Sequence, residues 1–143
     1  MANAKPTCFV DTNILIYAVD PTETEKRPIA ADLLRTEAQA GTLVLSPQSL
    51  NECYRVLTDR RRLVERAEAR RYIQTFARFC TAPLDFGATV EAWRVQDEFG
   101  FAWWDSLLLA SASLAGCAVF ASEDLQTGRR IGGLEIKNPF AAL

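Results

Sequence analysis

The stretch TCFVDTNILIYA, residues 7–18, sets the architecture of this chain. Thr7, Cys8, Phe9 and Val10 form a short β-prone apolar run, and Asp11 follows where such a strand leaves its sheet. Thr12 or Asn13 is placed to cap the next element, because Ile14, Leu15, Ile16, Tyr17 and Ala18 suit the first buried turns of a helix. A strand, an acid, a cap and a buried helix make an α/β opening. In open α/β sheets ligands bind in the crevice beyond the carboxyl ends of the strands, which gives Asp11 a functional address. On this stretch alone, a plain helix-capping role for Asp11 has equal weight.

The same alternation continues outward. Residues 29–40 carry Ile29, Leu33 and Leu34 near one face, an amphipathic helix that Gly41 ends. Residues 42–45 read as a second buried strand, followed by Ser46 as helix cap and Pro47 as first helical position. Leu50, Cys53, Tyr54 and Leu57 then give the stripe of a core-facing helix. The pattern predicts a helix over residues 65–79 with arginines on its outer face, a short strand over 81–86 around Pro83, and a helix over 88–99 ended by Gly100. Residues 101–116 are too apolar all round for a surface helix, and 117–121 form the next strand. Residues 134–136 add a last short edge strand. Strands alternating with helices of this length imply parallel βαβ units, right-handed crossovers and a helix layer on each side of the sheet.

Length and composition narrow the function. The chain has 143 residues, 49% of them hydrophobic, which suits one compact domain over residues 1–143 with an ample core. A formal net charge of −2 means that contact with nucleic acid relies on local basic patches. The four cysteines are widely spaced in apolar settings and read as reduced core residues of a cytoplasmic protein. The absence of histidine removes Ser-His-Asp and Cys-His nucleophilic sites, histidine zinc sites and histidine-based ribonuclease chemistry, and leaves carboxylates as the polar catalytic groups. No basic segment followed by a long apolar core opens the chain, so no leader is read. Residues 106–122 are 17 without a charge, but Gly116 and the serines argue for a buried helix and strand rather than a membrane span.

Asp11 and Asp124 each follow a strand, and parallel pairing brings both to the same rim of the sheet, within metal-sharing distance. Asp105 opens its helix on the side of Leu108, Leu109 and Ala112. An aspartate on a buried face needs a partner, since an unpaired buried charge costs several kcal/mol or forces protonation. A dipole-favoured position at a helix N-terminus accounts for its place but not for that side. Glu52 points away from the stripe of its own helix, and by periodicity alone it is a solvated glutamate.

DTNILIYA at Asp11, SPQSLNECYRVL around Glu52, WWDSLLLASA around Asp105 and ASEDLQTG at Asp124 resemble, in order and spacing, the acidic motifs of PIN-domain ribonucleases. Within that family the chain is most similar to the VapC-type toxins of bacterial toxin–antitoxin pairs. The resemblance implies a PIN-like three-layer α/β/α sandwich with a central, mainly parallel β-sheet. It implies that Asp11, Glu52, Asp105 and Asp124 form a metal-binding acidic pocket, with Asn13 and Ser122 as polar support. Asp124 rather than its neighbour Glu123 fits the family's serine or threonine, any residue, aspartate pattern. Further implications are an RNA substrate, a cognate antitoxin, a homodimer, and a metal-activated water that leaves 5′-phosphate and 3′-hydroxyl ends.

Hydrolysing a phosphodiester requires a nucleophilic water, relief of charge on the transition state and stabilisation of the leaving oxygen, all of which a divalent metal supplies. Mg²⁺ and Mn²⁺ are hard ions that prefer oxygen, so a carboxylate pocket without histidine suits them and suits zinc poorly. An acidic site that holds a polyanion needs compensating basic residues. Residues 55–78 contain eight arginines against three acids, and Arg60, Arg61 and Arg62 stand at a helix end where they are placed to grip phosphates. A solvated or antitoxin-docking face explains the same cluster equally well. Trp103 and Trp104 suit core packing better than base stacking. Two other functions compete with the ribonuclease: a PIN-fold module that binds without cutting, and an aspartate-based phosphohydrolase with Asp11 as nucleophile. The latter usually needs a second acid two residues on, where this chain has Asn13.

Overall fold

Strand β1 (Cys8–Val10) lies inside the sheet, with β2 (Leu43–Val44) and β3 (Val119–Ala121) parallel to it on either side. The computed structural model describes residues 5–143; residues 1–4, on which the reading of a leaderless start also rests, lie outside them. Beyond β3, the sheet adds β5 (Leu134–Lys137) in parallel and then β4 (Arg130–Ile131) antiparallel, for an order β2-β1-β3-β5-β4. The residues expected as the edge strand are therefore second from the edge. Gly132, at φ 58°, and Gly133 turn the chain in two residues, so Arg130 and Ile131 fold back and take the outer place.

Side-chain alternation along β1 divides the core in two. Cys8 and Val10 face α1 (Thr12–Tyr17), α2 (Lys26–Ala40), α3 (Pro47–Arg55) and α4 (Arg66–Gln74). Phe9 faces the other way and stacks on Phe120 with ring centroids 5.1 Å apart, over α5 (Phe86–Phe99) and α6 (Trp103–Leu114). The result is a three-layer α/β/α fold with a mainly parallel sheet.

Three connections depart from the sequence pattern. After α3 the chain widens into one π-turn, Val56–Arg60, and leaves it through Arg62 at φ 49°. The helix expected over residues 65–79 stops at Gln74, where the Thr75 hydroxyl bonds back to the Tyr72 carbonyl, and resumes only as a 3₁₀ turn, Ala77–Phe79. Residues 81–86 form no strand. The Ala82 N–H donates to the Leu45 carbonyl at 3.1 Å beside a single parallel bridge from Leu45 to Cys80, and pairing stops there, because Pro83 lacks an N–H and Asp85 caps α5 by accepting from the Ala88 N–H. Among the described residues no helix is long and apolar enough to cross a membrane, and residues 106–122 divide between α6 and β3 after Gly116 turns at φ 75°.

Candidate active site

Asp11 leaves β1 at the carboxyl rim of the sheet and is itself the cap of α1, so the capping role expected of Thr12 or Asn13 falls to it. The Thr12 N–H donates to Asp11 Oδ1 at 2.7 Å, and the Ser122 hydroxyl donates to Oδ2 at 2.8 Å. The capping reading of Asp11 holds for one oxygen, while the other joins the end of β1 to the end of β3. Only 7% of Asp11 is exposed. Burial pushes its carboxyl up to about 6 against the hydrogen bonds from Ser122 and Thr12, with the charges of Asp124 and Asp105 adding to the rise. Asp105, in the first turn of α6, is raised by burial and then by the charge of Asp124. Asp11 thus feels the charges of Asp105 and Asp124, and Asp105 feels that of Asp124.

The stretch after β3 is held at every residue. The Asp124 N–H donates to Ser122 Oγ at 3.3 Å, and the Asn13 amide donates to Asp124 Oδ2. Glu123 turns elsewhere: it accepts from the Tyr17 hydroxyl at 2.6 Å and pairs with Lys26 at 2.7 Å. That pairing uses Glu123 as an anchor and leaves Asp124 as the acid beside Asn13. Pattern reading missed Tyr17 and Lys26. Tyr17, one helical turn after Asn13, was the available signal.

Glu52 is exposed on α3 and lines a cleft of about 200 Å³ with Thr12, Asn13, Tyr17 and Arg60. The Thr12 hydroxyl is closed to solvent and has no hydrogen-bond partner among the described residues. The four acids are not drawn onto one point: among the described residues no set of three acidic or cysteine side chains is grouped tightly enough to grip an ion. Mutual repulsion among like charges favours such spacing.

Two expectations about the flanks change. Arg61 also lines the cleft, but its guanidinium pairs at 2.8 Å with Asp20, whose side chain is 0% exposed, so it has a structural partner. Arg60 is exposed in the cleft wall, and Arg62 is exposed where the π-turn ends. The two tryptophans part company: Trp103 packs against the core, whereas Trp104 is 66% exposed. Adjacent helical residues point about 100° apart, and in this first turn of α6 only the Trp103 side meets the core.

The profile of the PIN domain family matches residues 8–132, a span that contains all four acids. This chain belongs to the PIN domain family. No curated protein matches it. PIN domains are generally nucleases that act on nucleic acids and typically use divalent metal ions. The donor chemistry here fits such an ion. The rim of this PIN domain presents carboxylate oxygens, the carboxyls of Asp11 and Asp105 are raised in part by neighbouring negative charge, and the orphaned Thr12 hydroxyl belongs to the residue next to Asp11.

Proposed function

We propose that this PIN domain is a metal-dependent endoribonuclease and the VapC-type toxin of a toxin–antitoxin pair. The observation that carries the reading is Asp11, buried at the end of β1, tied by Ser122 to the end of β3 and sharing its field with Asp105 and Asp124. These three carboxylates would hold Mg²⁺ or Mn²⁺, and Glu52 would join them from α3. The bound ion supplies activation of water, relief of phosphate charge and stabilisation of the leaving oxygen. The chain's own residues do the positioning. Ser122 and the Thr12 N–H fix both oxygens of Asp11, so it presents a set direction without rotamer search. Asn13 orients Asp124, and the Glu123 pairing with Tyr17 and Lys26 holds the backbone that carries it. Arg60 supplies positive charge to the cleft wall, where a polyanion has to approach an acidic rim.

The antitoxin would answer the same acids with a basic side chain, since an arginine pairs well with a carboxylate in bidentate geometry. A homodimer is supported by the exposed stripe of Phe86, Val90 and Trp93 on α5, in which Phe86 and Trp93 meet edge to face at 6.0 Å. The test is cleavage of labelled RNA with Mg²⁺ or Mn²⁺. Activity lost on adding EDTA, and reduced in Asp11→Asn and Asp105→Asn by more than the roughly 10–100-fold that loss of a supporting partner costs, is the expected result. RNA bound but left intact by the metal-loaded wild type would favour the PIN module that binds without cutting.

A further inference from the structure

Trp104 stands one residue before Asp105, yet its indole is left in solvent, 66% exposed. The Gln48 side-chain amide donates to the Trp104 carbonyl at 3.3 Å, which ties the start of α6 to α3. Beside the ring runs a groove of about 510 Å³ whose walls include Leu84, Leu107, Asn51, Arg55 and Glu52. Glu52 also lines the 200 Å³ cleft with Asn13 and Arg60, so the two hollows meet at one of the candidate acids. The groove thus combines an aromatic face, an apolar edge, the Arg55 guanidinium and the Glu52 carboxylate, and it shares Glu52 with the smaller cleft.

We propose that this groove holds an unpaired nucleotide of the RNA strand beside the bond to be cut, with its base stacked on Trp104 and its phosphate on Arg55. The proposal rests on the ribonuclease reading and adds to it the form of the substrate. An indole face takes any of the four bases, because each has a π-face, and Arg55 is close enough along the same wall to meet the backbone. Bases within a duplex are already stacked on their neighbours and offer no free face, so the groove selects single-stranded or looped RNA. Arg55 and Arg60 outnumber Glu52 along the two hollows, and this balance of charge favours a phosphate backbone over an apolar helix of a partner protein as the occupant.

The test is fluorescence anisotropy with a short labelled single-stranded oligoadenylate and with a blunt-ended RNA duplex, in low salt and EDTA so that binding is read without cleavage. Trp104→Ala is expected to weaken oligoadenylate binding by about fivefold or more, Trp104→Phe to retain most of it, and neither to change the affinity of the duplex. Unchanged melting temperatures in both variants confirm that the fold is intact. Equal binding by wild type and Trp104→Ala, or no binding by wild type, overturns the proposal. So does loss of a protein partner from Trp104→Ala with RNA affinity intact. RNA cleavage with Mg²⁺ or Mn²⁺, measured separately, shows whether the ribonuclease reading survives such a failure.

Discussion

Asp11 gives one oxygen to the Thr12 N–H and the other to the Ser122 hydroxyl, yet burial still holds its carboxyl at about 6 rather than 3.8. Between those two values the folded chain binds more protons at Asp11 than the unfolded chain does. Stability from this group is therefore full below about 4, falls as pH rises to about 6, and stays low above that. The difference between the two values corresponds to on the order of 3 kcal/mol. Asp11→Asn keeps the shape and the helix cap but removes the charge. In metal-free buffer the variant is expected to match wild type near pH 4 and to exceed its stability at pH 7.5, by urea unfolding at each pH. Comparing the two proteins isolates Asp11 from Asp105, whose carboxyl is also raised, and from Asp20, whose carboxyl is lowered. A gap that does not change with pH would mean that Asp11 titrates normally. Adding Mg²⁺ is expected to narrow the gap at pH 7.5, because an ion that binds only the folded wild type stabilises it by mass action.

The π-turn after α3 is the element that separates the arginines by role. It carries Arg60 into the cleft wall and leads to Arg61, which reaches the closed carboxylate of Asp20 at the end of the α1 segment. Burial raises the Asp20 carboxyl, but the Thr22 hydrogen bonds and the Arg61 charge outweigh it and leave it lowered. Removing Arg61 leaves that carboxylate with Thr22 alone. Arg61→Ala is expected to cost about 1–3 kcal/mol in denaturant unfolding, while Arg60→Ala stays within about 0.5 kcal/mol and instead lowers the salt dependence of RNA binding. Equal stability of the two variants would remove the distinction. At this scale the sequence was readable wherever one residue type does one thing: Gly41 and Gly100 end their helices at φ 73° and 77°, and Ser46 with Pro47 opens α3. It was unreadable where tertiary packing chooses. The π-turn has no periodic signature of its own, the Thr75 break looks like any helical threonine, and β4 is two residues long. In the site, Asp11, Asp105 and Asp124 followed from strand ends and helix faces. Glu52 did not, because an exposed glutamate on a helix looks the same whether it faces bulk water or a cleft. The use of Tyr17, Lys26 and Glu123 as an anchor depends on contacts more than 90 residues apart along the chain, which no local pattern carries.

Across the whole molecule the charges are segregated: candidate acids at the carboxyl ends of β1 and β3, arginines along the α3–α4 flank, and a net charge of only −2. Glu52 and Asp124 are both exposed, so among the described residues nothing shields these two acids. An acidic cleft left open in this way admits a substrate, and it equally admits a partner that presents a basic side chain and leaves no room for metal or phosphate. If the proposed toxin role is right, wild type expressed alone in a bacterial host stops growth, and co-expression of a cognate antitoxin restores it. Asp105→Asn is the informative control, because it removes one acid of the rim and leaves the α3–α4 flank and the Trp104 groove in place. Arrest by wild type with normal growth of Asp105→Asn assigns the effect to cleavage. Equal arrest by both assigns it to binding, through surfaces that do not need the acid. No arrest by either removes the toxin role, and cleavage of RNA in vitro would then describe a nuclease with another purpose in the cell.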